Sequence, residues 1–342
     1  MIHAVWLVVI VTIAIALLFD VINGFHDAAN SIATVVSTRV LSPRVAVLWA
    51  AFFNFIAMFI FAPRVADTVS KIVKIVPSDR DFIVVVLSGL IGAVIWDLIT
   101  WWWGLPTSSS HALIGGFAGA GITHGGWSSI RWDKMWATIQ FIPLAPLIGM
   151  VLGFIIMVIV YWIFRRWRPA EVDRVFRRGQ LVSAALYSLG HGGNDAQKTM
   201  GLIVALLVAA GKFDLDTRLS LTHWNTAWIV LSCHAAMAFG TAIGGWRIVK
   251  TMGQKLTKLK PVHGFCAETA GAITIFMATH MGIPVSTTHT ISGAIVGVGS
   301  TQSRSSVRWA VALNIVVAWV VTIPFAALIS AGAYEALSRL IR

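Results

Sequence analysis

Long apolar runs separated by short polar punctuation organise this chain. Uninterrupted runs cover 2–19, 82–96, 144–164 and 310–329, each close to the ~20 residues a helix needs to cross the hydrocarbon core of a bilayer. Reading every such run with its flanks gives about ten helical segments. They lie near 2–22 with a broken continuation to 38, then 44–62, 82–103, 105–124, 136–164, 180–210, 224–246, 264–281, 284–300 and 307–333. The first run has no basic n-region and no small-x-small cleavage pattern, so it reads as a membrane helix and not as a signal peptide. The predicted fold class is all-α integral membrane, built of transmembrane and re-entrant helical segments.

Composition sharpens this picture. Hydrophobic residues make up 57% of the 342 residues and charged ones only 12%, about half the charged share of a soluble domain. Mean hydropathy is +0.81. A net charge of +12 in a soluble chain points to nucleic acid. Here the basic residues sit in short loops between apolar segments, where they orient helices, and nucleic acid is not expected as a partner. Cys233 and Cys266 both fall in apolar stretches and imply neither a disulfide framework nor a cysteine metal site.

The chain makes two unusual moves twice. "NGFHDAANSIATVVST" and "SLGHGGNDAQKTMG" place Asp27 and Asp195 at matching positions, 168 residues apart. "GLPTSSSHALIGG" and "GIPVSTTHTISGA" place His111 and His289 at matching positions, 178 apart. The order of motifs is the same in both halves, which predicts a first repeat over 1–164, a basic cytoplasmic linker over 165–179 and a second repeat over 180–342. Five crossings per half, an odd number, invert the second repeat relative to the first, the plan of many secondary transporters. With the N- and C-termini outside, inner loops carry 15 Lys and Arg against 10 for the outer loops and tail, the bias that the positive-inside rule expects. That orientation places the linker in the cytoplasm and the protein in the inner (plasma) membrane. A re-entrant path for 105–124 or 284–300 remains open at this level.

The motifs contain the chemistry. Asp27, Asn30, Ser31 and Thr34 fall at i, i+3, i+4 and i+7 and share one helix face. Gly24 precedes them, and three glycines precede Asn194 and Asp195, where a membrane helix can unwind around a polar cavity. Five acidic residues lie inside apolar segments: Asp20, Asp27, Asp97, Asp195 and Glu268. A charge at a helix centre costs about 2.5–3.5 kcal/mol even on a lenient insertion scale, so the matched pair Asp27 and Asp195 reads as functional. A polar network gluing helices together is the competing explanation. Pro106 and Pro284 suit a first helical turn, which sets the hydroxyls of Thr107, Ser108, Ser109, Ser110, Ser286, Thr287 and Thr288 beside helix N-termini, a ready anion site. Gln197 and Lys198 join these as candidate substrate contacts. Lys198 offsets Asp195, draws in an anion, or is simply paired internally. His111 and His289 read either as a proton relay or as structural imidazoles.

These motifs, with "GGWRIVKTMG" and "GFCAETAGA", resemble the inorganic phosphate transporter (PiT) family in its bacterial low-affinity form, over nearly the whole chain. The resemblance implies an inverted-repeat fold with phosphate and coupling cations where the halves meet. By position, Asp27, Asn30, Asn194 and Asp195 belong to the family's duplicated signature, and Glu268 matches an important glutamate; together these are the candidate cation-coupling residues. The chain departs from many members at Asn54, where glutamate is common, and at Phe25-His26-Asp27, where Ala-Asn-Asp is common. The expected function is cation-coupled phosphate symport by alternating access, with protons preferred to sodium as the co-transported ion and a divalent metal travelling with phosphate as a variant. No bound cofactor or resident metal is expected. The bilayer and, by analogy with other carriers, a second copy of the chain are the expected partners. A sulfate permease of the same fold is the first alternative. A membrane phosphatase is remote, because "PTSSSH" lacks the companion Arg-Pro and Ser-Arg boxes such enzymes need, and a scaffold without transport leaves the duplicated buried carboxylates unexplained.

Overall fold

A computed structural model describes residues 2–75 and 79–341. Thirteen α-helices account for most of it. In chain order they are α1 (Ile2–His26), α2 (Ala28–Ser37), α3 (Pro43–Ile56), α4 (Arg64–Ser70), α5 (Arg80–Trp103), α6 (Ser109–Gly125) and α7 (Trp132–Phe164). Then come α8 (Pro169–Ala209), α9 (Trp224–Ile243), α10 (Trp246–Lys250), α11 (Pro261–His280), α12 (Thr287–Ser300) and α13 (Trp309–Ile341). No strand forms among the described residues beyond an isolated bridge between Val73 and Ile130. Five of these helical stretches are long and apolar enough to cross a membrane, and the pair α3–α4, bent by 83° at its break, raises that to six.

The loops gather at two ends. At one, the Lys74 amide donates to the Ser129 carbonyl at 2.7 Å, His124 pairs with Tyr334 at 2.8 Å, and Trp6, Asp214 and Trp224 line one cavity. This terminal end holds both the first and the last helix tips. At the other, Arg177 donates to the Arg39 carbonyl at 3.0 Å, Thr257 to the Ser306 carbonyl at 3.0 Å, and Tyr161 meets His263 at 3.2 Å. This basic end carries the loops richest in Lys and Arg.

Chain direction between the ends reverses from one repeat to the next. In the first, α1–α2 runs from the terminal to the basic end, α3–α4 returns, α5–α6 leaves the terminal end and comes back to it, and α7 runs to the basic end. In the second, α8 runs from the basic to the terminal end, α9 returns, α11–α12 leaves the basic end and comes back, and α13 runs to the terminal end. The repeats are therefore inverted. α6 and α12, 17 and 14 residues long, span only about 25 and 21 Å at 1.5 Å per residue, and their first turns meet: the His111 and His289 rings lie 4.6 Å apart. Each is the short return arm of a hairpin, and the two return arms begin against one another in the interior.

Two expectations change. The glycines before Asn194 do not unwind the helix, since α8 runs unbroken for 41 residues. They allow close packing instead: a Cβ on Gly192 would stand 2.4 Å from the Asn54 carbonyl oxygen, and one on Gly193 2.2 Å from the Phe61 ring. Only the first repeat breaks, at Asp27 between α1 and α2. The basic stretch 165–179 is a connection only up to Arg168, because Pro169 opens α8 with a ring already set for helical φ.

Polar and apolar layers alternate along the two central helices. Val9, Ala16 and Phe19 of α1 belong to one buried apolar cluster, and Ala29, Ile32 and Val35 of α2 to another. On α8 the order is reversed, with Phe176, Ala184 and Tyr187 in the second cluster and Ala196–Ala209 positions such as Met200 and Leu206 in the first. Between the clusters on each helix lies a polar stretch, 20–27 and 188–195, fully buried at its key side chains. Outward faces are apolar, as Leu147, Val151, Leu313 and Val320 illustrate. That arrangement, oil outside and polar groups within, is what lipid demands.

Candidate functional site

The hairpin tips are built by their serines. Ser108 and Ser286 adopt extended backbone, and each hydroxyl accepts from the amide three residues on, His111 at 3.2 Å and His289 at 3.1 Å. They are N-caps, so the helices start at Ser109 and Thr287, and Pro106 and Pro284 lie two residues before the caps instead of in the first turn. The reason is local: a serine that captures the third amide starts the helix after itself, while the proline keeps the approach extended. The tips remain helix N-termini at the middle of the molecule, with Ser109, Ser110, Thr287 and Thr288 in the first turn and no more than 3% exposed.

Each signature helix grips the other repeat's tip. Asn30 of α2 donates to Thr288 Oγ1 at 2.8 Å and to Thr287 Oγ1 at 3.3 Å. Lys198 of α8, the residue 168 positions on, donates to Ser110, the residue that matches Thr288. Its Nζ also reaches Asp195 Oδ1 at 2.5 Å and the Val285 carbonyl at 2.8 Å. Asn194 donates to Thr279 Oγ1 at 2.8 Å and accepts from the Val285 amide at 3.2 Å, which ties down the α11–α12 turn. His26, its counterpart, contacts Thr100 in the last turn of α5 at 3.2 Å, Thr107 on the α5–α6 turn at 3.4 Å and Asp27 Oδ1 at 2.8 Å.

The two matched carboxylates meet. One donor atom from each of Asp27, His191 and Asp195 falls within 4.8 Å of the others, all buried. Thr287 donates to Asp195 Oδ2 at 3.3 Å, and the Tyr187 hydroxyl donates to the Thr287 carbonyl at 2.9 Å. Two acids and an imidazole facing one another between hydroxyl-bearing helix N-termini can hold a cation and an anion side by side. His191 and Tyr187 complete the site beyond the residues singled out in the sequence. The signal was present: polar residues at 180, 183, 187, 191, 194, 195 and 198 recur at helical spacing along one stripe of α8.

Other candidates lie elsewhere. Glu268, 0% exposed, accepts from Thr34 at 2.5 Å, from Gln180 at 2.9 Å and from Ser183. Thr34 sits seven residues beyond Asp27, about 10 Å along the helix at 1.5 Å per residue, so Glu268 forms a second polar centre towards the basic end. Gln197 turns away from the tips, accepting from the Val65 amide at 2.9 Å and donating to the Ala62 carbonyl at 3.1 Å; it props the α3–α4 bend. Asn54 donates to Thr241 Oγ1 at 2.9 Å and meets His191 at 3.2 Å. Asp20 accepts from Thr199 at 2.5 Å, and buried Asp97 lies beside Ser109 in the first turn of α6. His289 stacks on Trp319 at 3.8 Å, and the His111 ring meets it edge-on at 4.6 Å. The pair is a packed contact between tips.

Inverted repeats whose hairpin tips meet at a buried polar centre define a secondary transporter architecture. The chain belongs to the phosphate transporter family, whose model matches residues 23–330. It is 56% identical over 324 residues to a Rhizobium meliloti protein named "Probable low-affinity inorganic phosphate transporter", covering 95% of each chain. A Bacillus subtilis protein of the same name is 44% identical over 325 residues, covering 95% of this chain and 96% of that one. A solved structure named "The sodium-dependent phosphate transporter" shares the fold, with a TM-score of 0.85, 24% identity, and coverage of 97% of this chain and 99% of the other. The family and these relatives are transporters and not enzymes, and the chain is an integral membrane protein.

Proposed function

We propose that this chain carries inorganic phosphate across the inner (plasma) membrane by cation-coupled symport with alternating access, its basic end facing the cytoplasm. The observation that carries this reading is the meeting of Asp27, His191 and Asp195 in one buried centre with Thr287 of one hairpin tip and, through Lys198, with Ser110 of the other. The tips supply N–H and O–H donors and the positive ends of two helix dipoles, which favour an oxyanion without fixing it permanently. Lys198 adds the cation that first-turn hydroxyls lack. Hydrogen phosphate can donate its own proton to Asp27 or Asp195, whereas sulfate at neutral pH has none to donate, so the acids favour phosphate.

Coupling follows from charge. Each elementary charge moved across 100 mV is worth about 2.3 kcal/mol, so hydrogen phosphate entering an interior-negative compartment meets a penalty of roughly 5 kcal/mol. Each co-transported monovalent cation offsets about half of it, so two protons or one divalent metal cancel it, and Asp27 and Asp195 are the carboxylates that hold the cation. Protons suit this chain better than sodium, because imidazoles stand against both acids, His26 on Asp27 at 2.8 Å and His191 near Asp195 at 3.5 Å, where a sodium cage wants oxygens. Carboxylate and imidazole donors together also accept a divalent metal carried with phosphate.

The test is radiolabelled phosphate uptake into proteoliposomes under an imposed pH gradient or an imposed sodium gradient, each with excess unlabelled sulfate. The expected result is uptake driven by the pH gradient and indifferent to sodium and sulfate. Sodium-driven uptake overturns the proton assignment, and strong competition by sulfate overturns the choice of anion.

A further inference from the structure

Two arginines outside the polar centre make one contact twice. Arg64 opens α4, directly after the 83° bend, and its Nη1 donates to the His280 carbonyl at 2.7 Å at the end of α11. Arg247, in α10 just beyond α9, donates through Nη1 to the Trp102 carbonyl at 2.7 Å at the end of α5. Trp102 and His280 are 178 residues apart, the offset that also relates His111 to His289 and Gly104 to Gly282. The match extends to the backbone. A Cβ on Gly282 (φ +71°) would lie 3.3 Å from Cβ of Arg64, and one on Gly104 (φ +66°) 3.8 Å from Cβ of Arg247. Each repeat's arginine therefore holds the hairpin turn of the other repeat, four residues before the hydroxyl motif's capping serine.

The chemistry of the contact is that of a helix end. The last carbonyls of α5 and α11 lack intrahelical donors and form the negative end of a dipole, where a cation is favoured. A guanidinium occupies that place in both cases. Arg247 also lies over the Trp101 and Trp102 rings at 5.2 and 4.6 Å. The two contacts sit at opposite ends of the molecule. Arg64 and Gly282 line a cavity of about 560 Å³ with Lys71, Lys134 and Arg218 at the terminal end. Arg247 lies towards the basic end, where Thr251 further ties the Gly104 carbonyl at 3.1 Å.

We propose that Arg64 and Arg247 are paired latches that close the polar centre from opposite faces of the membrane, each released in turn. The proposal rests on the transport reading above and adds the elements that gate it. With both latches engaged, both tips are held over the centre, and the tip hydroxyls are buried as observed. Releasing Arg64 frees the end of α11 and the turn at Gly282 and opens the centre to the terminal-end cavity; releasing Arg247 frees the turn at Gly104 and opens it to the basic end. Because one charged hydrogen bond serves each face, loosening one latch shifts the balance of conformers towards that face alone.

The test reads sidedness. In proteoliposomes sorted by orientation, Arg64→Ala is expected to lower the half-saturating phosphate concentration at the terminal-end face about fivefold, the population shift that one exposed charge-assisted hydrogen bond supports. The basic-end face stays unchanged or weakens. Arg247→Ala is expected to do the mirror image, and lysine at either position to restore most of the effect. Equal changes at both faces, or a loss of rate alone, overturn the latch assignment. A second measurement uses cysteine pairs, Arg64→Cys with Gly282→Cys and Arg247→Cys with Gly104→Cys, after Cys233 and Cys266 are replaced by alanine. Their Cβ separations, 3.3 and 3.8 Å, lie near the 3.5–4.5 Å of disulfides. Oxidation is expected to stop phosphate flux and reduction to restore it, the reduced form serving as its own folding control. Cross-linked protein that transports at the reduced rate overturns the proposal. Absence of phosphate flux in the unaltered protein sinks the transport reading itself, and the latches with it.

Discussion

Lys198→Met is the most informative single change. The ammonium has three donors, and the structure gives them three acceptors: Asp195 Oδ1 at 2.5 Å, Ser110, and the Val285 carbonyl at 2.8 Å. Methionine retains most of the apolar stem and removes only the charge and its bonds. Asp195 is 0% exposed, and its remaining neighbours are Thr287 at 3.3 Å, His191 at 3.5 Å and the second acid, Asp27. Removing one partner of a buried ion pair costs about 3–5 kcal/mol, because the other charge stays behind uncompensated. The variant is therefore expected to lose that much stability against denaturant in mixed micelles, followed by the fluorescence of the chain's 16 tryptophans. Asp195→Asn in the same molecule removes the stranded charge. The double variant is expected to recover at least 2 kcal/mol of the loss, a coupling of the size that residues in direct contact show. Phosphate uptake stays absent in both, since the centre has lost its cation. A loss under about 1 kcal/mol for Lys198→Met, or strictly additive effects in the cycle, would refute the reasoning that the pair is a buried and mutually dependent unit.

Glu268→Gln keeps the volume but presents a donor where Thr34, Gln180 and Ser183 all donate; a cost of about 1–3 kcal/mol and loss of uptake with normal insertion are expected, checked by unfolding and by flux. Gly240→Ala sets a Cβ 2.0 Å from the Val21 carbonyl oxygen and Gly24→Ala one 2.2 Å from that of Met237. Each is expected to cost about 1–3 kcal/mol by forcing α1 from α9, read as a lowered unfolding midpoint. Ser108→Ala and Ser286→Ala each remove a cap worth about 1 kcal/mol, and the two losses are expected to match within a few tenths because the tips are equivalent. Gln197→Ala, whose amide binds only the 62–65 backbone, is expected to lower stability while leaving the half-saturating phosphate concentration unchanged in uptake assays.

Much of this protein was legible in the chain. Apolar run lengths marked the membrane class, because a bilayer requires continuous apolar helix faces whatever the fold. The spacing of Asp27, Asn30 and Thr34 put them on one face, and the offsets of 168 and 178 announced a duplicated plan. Those signals survive without tertiary information since they depend on helical period and on the cost of a charge in oil. What only the tertiary structure decided is which residue meets which. Asn30 and Lys198 look unrelated in sequence, yet they occupy equivalent places against Thr288 and Ser110 of the opposite repeats. The glycines before Asn194 read as a helix break and serve instead as close contacts with Asn54 and Phe61, because glycine permits both and only the neighbour selects. Gln197 lies one residue from Lys198 and points to a different part of the molecule, since adjacent positions on a helix are about 100° apart. Arg64 and Arg247 read as loop charges until the hairpin turns they hold were in place. Local period and solvent transfer are properties of the chain itself; partnership across an inverted repeat is set by how two halves pack.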